Sequence, residues 1–250
     1  MSASFVAKPD NTRTGGPRSA SAKAVENRGA NAYLRAMRKI IFMVLILSRG
    51  FSLAAEPKIL FAEDFSHGLT NGWENVAFFK TPSVYSAARD GTNFCLHAVA
   101  EKTCSALSHK LNLAPPEKLT LRWRWKIAGV ETNGSERDIK KFDHAARVFI
   151  AFDTFIGPPR TLNYFWGDAE PPGTVRAHPK SDRAQIFVLQ SGNARAGQWV
   201  AEERDVTADW KKVFPGRAMP KIVGLGLMTD SDSLGARLEG FYADVELRAE

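Results

Sequence analysis

Arg122, Arg124 and Lys126 occupy alternate positions in Leu119–Ile127, which reads LTLRWRWKI. Cations at that spacing share one side of a strand, and a guanidinium can grip a carboxylate through two parallel hydrogen bonds. Arg147 belongs to a similar run, AARVFIAFD over 145–153, and is expected to extend the row. Like charges at alternate strand positions repel unless something anionic answers them, so the row favours an interaction surface over a merely solvated face. The segment Trp199–Val206 supplies acids of its own, Glu203 and Asp205 on one side and Glu202 with Arg204 on the other.

Two acids on one face raise the question of catalysis, because glycoside hydrolysis uses a pair of carboxyl groups flanking the scissile bond. Glu203-Arg204-Asp205 meets that spacing, with Val206 and Thr207 rather than a third acid behind it. Asp230-Ser231-Asp232-Ser233 follows a strand pattern and offers oxygen ligands of the kind Ca²⁺ takes. Two acids without EF-hand spacing favour a hydrated turn instead. No GxSxG, HExxH or Walker sequence occurs, and Gly224 and Gly226 lie inside an apolar run without the context of a dinucleotide loop. The five histidines, His67, His97, His109, His144 and His178, have no ligand spacing, and only His144 falls near the charged runs. No catalytic residue, cofactor or metal is assigned.

These groups need strands to hold them. In the stretch 119–127 the apolar Leu119, Leu121, Trp123, Trp125 and Ile127 alternate with the cations, which puts both tryptophans in a core. In the second run Ala146, Val148, Ile150 and Phe152 take the apolar side. Further alternating runs cover 59–65, 73–79, 84–88, 94–100, 104–113, 161–167, 184–190, 199–206, 222–229 and 238–248, separated by Gly, Pro, Asn and Asp. A long Pro- and Gly-rich loop spans Asp168–Arg183. One short helix is expected over Thr207–Phe214, with Thr207 as its cap. Many strands with one helix and no βαβ alternation predict an all-β, two-sheet antiparallel β-sandwich, a single domain over 56–250.

The start of the chain reads differently. Residues 1–36 are rich in Ser, Ala, Asn, Gly and Arg and lack apolar periodicity, a disordered composition that would lie upstream of a true start at Met37. Residues 37–55 combine Arg38-Lys39, the apolar run IIFMVLIL and the small-residue exit SLAA, the pattern of a secretory signal peptide. The apolar run is too short to leave a stable membrane span after cleavage. Of the 34 Lys/Arg and 27 Asp/Glu, nine and two fall in residues 1–55, so the remainder carries 25 of each. The basic balance belongs to the leader, and nucleic acid loses its support as a partner. A periplasmic or secreted location follows. Export would permit a disulfide between the only two cysteines, Cys95 and Cys104, but a tight turn between their consecutive runs would set Val99 opposite Cys104, and the pairing stays open.

WRWK at 123–126, the KxxDxxARVFIAF-like run to 152, NYFWG at 163–167, GQWVAEERDVTADW at 197–210 and GLGLMTDSD at 224–232 together resemble a family of exported bacterial proteins known only as a domain of unknown function. The resemblance implies a concanavalin-like jelly roll and no assigned activity. One departure is Phe142-Asp143-His144, where the family tends to carry paired acids after a glycine. Sandwiches of that look bind glycans across a sheet face, with charged groups on hydroxyls and aromatic rings on sugar faces. The expected ligand-binding set is therefore Arg122, Arg124, Lys126, Asp143, Arg147, Tyr164, Trp166, Glu203 and Asp205. A non-catalytic module for a glycan or another extracytoplasmic ligand, acidic glycans preferred, leads the readings. A carboxylate-based polysaccharide hydrolase or lyase and an envelope protein-interaction module stay open beside it.

Overall fold

The computed structural model of the protein describes residues 56–69, 72–78 and 81–250; the extension at 1–36 and the leader at 37–55 lie outside them. The strands are β1 (Lys58–Glu63), β2 (Trp73–Ala77), β3 (Val84–Asp90), β4 (Asn93–Glu101), β5 (Cys104–Leu113), β6 (Leu119–Ile127), β7 (His144–Phe152), β8 (Arg160–Gly167), β9 (Val175–His178), β10 (Ser181–Ser191), β11 (Val200–Asp205), β12 (Ile222–Asp230) and β13 (Arg237–Ala249). A 3₁₀ turn, Ile139–Lys141, precedes β7, and α1 (Val206–Val213), the one α-helix among the described residues, follows β11. One sheet runs β11-β6-β13-β4-β3, with β1 also on β13; the other runs β2-β5-β12-β7-β8-β10-β9. The pairing is antiparallel except between β8 and β10. The chain folds as a jelly-roll β-sandwich. Among the described residues no helix is long and apolar enough to cross a membrane.

The two-residue period of the strands dictates the core. Leu119, Leu121, Trp123, Trp125 and Ile127 face inward from β6 and meet Val148, Ile150 and Phe152 of β7 and Leu162, Tyr164 and Trp166 of β8. Trp123 stands edge-on to Trp125 with ring centres 5.3 Å apart, and 5.4 Å from Tyr164. Each such ring removes a large apolar area from water, stabilising the sandwich by about 1.5–3 kcal/mol per side chain.

Several expectations change at the ends of elements. The helix cap is Asp205, whose carboxylate accepts the Ala208 N–H. Thr207 lies inside the helix, and its hydroxyl accepts the Leu119 N–H at 2.9 Å, tying α1 to the start of β6. The loop expected over Asp168–Arg183 contains β9 and the first residues of β10. The strands carrying Cys95 and Cys104 do not pair: β4 belongs to one sheet and β5 to the other, and the chain crosses between them at Lys102, which takes a left-handed φ of 53°. Both cysteines are free thiols.

Candidate ligand groove

The charged row on β6 is answered by the chain itself. Arg122 meets Glu203 of the adjacent strand β11 at 2.6 Å, because the two residues pair in register. Arg124 meets Asp244 at 2.5 Å and donates to Asn93 Oδ1 at 3.0 Å. Lys126 meets Asp90 at 2.6 Å and lies over the Phe241 ring. Trp199 donates its indole N–H to the same Asp90 carboxylate and faces Arg124 and Lys126. Cross-strand ion pairs of this kind satisfy the repulsion that had favoured an external anion. Sequence alone could not show which acids would fall opposite the cations.

Other members of the expected set are structural. Tyr164 and Trp166 are fully buried, so neither can stack on a sugar. The Tyr164 hydroxyl donates to Asp209, which also holds Arg204, and burial next to that acid pushes the phenol far above its ordinary range. Both carboxylate oxygens of Asp143 accept backbone N–H groups, from Ser233 and Leu234, and pin that turn to the start of β7. Asp205 caps the helix, so Glu203-Arg204-Asp205 does not form a two-carboxylate site. Arg147 parts company with the row entirely, because β7 belongs to the opposite sheet.

Arg147 lies instead in a groove of about 710 Å³ on the outer face of the seven-stranded sheet. Register explains its floor. Met228 of β12 pairs with Arg147 on one side and Ala106 on the other; one row along, Gly226 pairs with Phe149 and Ser108; beyond that, Gly224 pairs with Ala151. Small residues keep the sheet low where Phe149 and Arg147 rise from it. Phe142, Lys180, Pro158 and Pro159 from the loops, with His178 at the end of β9, form the walls. The glycines of β12, which lie inside an apolar run of the sequence, are the signal that could have pointed to this face.

The Arg147 guanidinium donates twice to Asn163 Oδ1, at 2.9 and 2.6 Å, and lies 5.2 Å from the Phe149 ring centre and 5.5 Å from that of Phe165. Its remaining nitrogen, Nη1, donates to the Met228 sulfur at 3.5 Å. Burial lowers it to about 10, so it stays a cation at neutral pH. Among the described residues it forms no salt bridge. At the same end of the groove burial, with Asp232 close by, pushes Asp230 up to about 8. Burial and the cations around it hold His178 down to about 4, so its imidazole is neutral.

A model of the family described as a protein of unknown function, DUF3047, matches residues 71–246. The chain belongs to this family. No curated protein matches the sequence. Among solved structures, the DUF3047 chain is similar to the xyloglucanase domain of NopAA, a type three effector from Sinorhizobium fredii, solved with cellobiose: 8% identity, TM-score 0.42, covering 77% of this chain and 100% of that one. It is also similar to the family 11 carbohydrate-binding module of Clostridium thermocellum (11%, 0.41, 76% and 94%). The CBM22-1 xylan-binding domain of Paenibacillus barcinonensis Xyn10C is a third (12%, 0.41, 77% and 94%). Likeness at this level carries no functional argument.

Proposed function

We propose that this DUF3047 chain is a non-catalytic glycan-binding module whose ligand lies in the outer groove of the seven-stranded sheet, with acidic glycans preferred. The single observation behind this reading is Arg147, a cation lying over two aromatic rings in a groove, with no carboxylate paired to it among the described residues. A guanidinium fixed in orientation by Asn163 suits a uronate carboxylate, and the Phe149 ring beside it suits a sugar face. Lys180 adds a second positive charge at the rim. The leader pattern over 37–55 supports a periplasmic or secreted setting for such a ligand.

Calorimetry with a uronate oligomer and its neutral counterpart tests the reading. Wild type should bind the uronate more tightly, and salt should weaken it. Arg147→Gln should lose most of that binding while Arg124→Ala retains it. Equal affinity for the two oligomers, or loss in Arg124→Ala alone, would move the site off this groove. Release of reducing ends from the same oligomers would remove the word non-catalytic.

A further inference from the structure

We infer that Cys104, His144, Asp230 and Asp232 form a binding site for a zinc-class divalent cation at one end of this groove. Cys104, His144 and Asp230 are far apart in the sequence and are brought together by strand register. Asp230, the last residue of β12, pairs with Cys104 of β5 on one side and with His144 of β7 on the other. That row places a thiol, a carboxylate and an imidazole side by side across three adjacent strands. Asp232, just past the strand, completes the group: the ligand atoms of Cys104, Asp230 and Asp232 all lie within 4.8 Å of one another.

The independent observation is His144. Its side chain is 1% exposed, and among the described residues neither ring nitrogen has a hydrogen-bond partner. A buried imidazole without partners is costly, and native interiors rarely leave one so. Nδ1 lies 3.9 Å from Asp230 Oδ2, on the Asp230 side of the cluster, while the ring packs against Phe165 and Phe142. A metal ion between these groups would give that nitrogen the partner it lacks.

The donor chemistry selects the ion. Hard cations such as Ca²⁺ take oxygen ligands only, whereas Zn²⁺ takes sulfur, imidazole nitrogen and carboxylate oxygen together in tetrahedral sets. The thiol gives up its proton to solvent on binding. Thiolate and two carboxylates then carry three negative charges, two of which the divalent cation neutralises. Asp232 is exposed and lines the groove, which gives the ion an entry path.

The test uses the full chain, stripped with a chelator and titrated with zinc chloride, with no glycan present. One zinc per chain should remain after gel filtration. Co²⁺ in its place should give a thiolate-to-metal charge-transfer absorption that Cys104→Ser abolishes and Cys95→Ser retains. Asp232→Asn, at an exposed position, should fold as wild type and bind zinc at least about tenfold more weakly, since losing even an outer-shell partner of a metal ligand costs about that much. Zinc that washes off wild type, a cobalt band that survives Cys104→Ser, or unchanged zinc affinity in Asp232→Asn would overturn the inference. None of these outcomes bears on the calorimetry of the glycan reading.

Discussion

The Phe149 ring lies directly on Gly226: a Cβ added to that glycine would stand 2.1 Å from Phe149 Cζ. The two residues are cross-strand partners in β7 and β12, so the missing side chain is what lets the ring fold down along the groove floor. Gly224, one row along, is different. A Cβ there would find its nearest neighbour at 3.5 Å, an ordinary contact.

Gly226→Ala should therefore displace Phe149 and disturb the groove, while Gly224→Ala should not. Overpacking of this kind costs about 1–3 kcal/mol. Urea unfolding should show that loss in Gly226→Ala and a change below about 0.5 kcal/mol in Gly224→Ala, the range of substitutions that meet no steric conflict. Uronate binding should fall only in the first. Wild-type binding by Gly226→Ala would show that Phe149 takes no part in holding the ligand.

Trp123 and Trp125 test the core. Both are buried between the sheets, and Trp123 touches Trp125 and Tyr164 ring to ring. Replacing Trp123 with Ala should cost about 3–5 kcal/mol, the usual range for emptying a large aromatic site. Denaturant melts of the folded variant read this directly. A loss below about 1 kcal/mol would mean that the ring sits at a surface rather than between the sheets.

The contrast between these residues explains what could be read beforehand. The period of two in LTLRWRWKI is local, so it assigns Trp123 to the core and Arg122 to the outside without knowing any partner. The tryptophan of NYFWG is harder: Trp166 and Tyr164 are aromatic, and aromatic residues serve both cores and sugar sites. Only the sheet packing decides. The fate of Arg122 and Arg124 depended on long-range register, since Glu203 and Asp244 come from strands about 80 and 120 positions away. The same limit applies to Arg147, whose strand enters the other sheet. An alternating strand shows which residues share a face, but not which sheet the strand enters. The row of Cys104, Asp230 and His144 is likewise a product of register, invisible to any spacing rule.

Asp168 provides a test by pH. Burial, with the Glu136 carboxylate adjacent, raises it from the ordinary 3.8 to about 8. Between those two values the folded chain holds a proton that the unfolded chain has released. Stability contributed through this group therefore falls as pH rises from about 4 to about 8 and levels off above. Asp230 has the same direction, so the informative quantity is the difference between wild type and Asp168→Asn. Asparagine keeps the shape that packs against Gly134 and carries no titrating proton. The variant should gain stability relative to wild type as pH rises through the window, seen in urea melts at pH 5 and pH 8.5. A difference that stays constant across that range would show that Asp168 is ionised in the fold at both values.

Arg124 provides the last test, because it separates the two faces of the sandwich. Its partners are Asp244, which adopts a left-handed φ of 50° at the bulge where the β6–β13 register shifts, and Asn93 at the start of β4. The ion pair is partly exposed, with side-chain accessibilities of 32% and 52%. Pairs in that setting contribute about 0.2–1 kcal/mol, since water screens them and two flexible side chains must be ordered. Arg124→Ala removes no apolar packing from the core, which lies on the other side of β6. It should lower stability by no more than about 1 kcal/mol, and salt should shrink the difference from wild type. Paired with Arg147→Gln on the same uronate titration, it should leave affinity within about twofold, a difference of under half a kcal/mol. A large loss of binding in Arg124→Ala with the fold intact would mean that the six-stranded face can release its internal partners to a ligand, and would return the binding site to the row on β6.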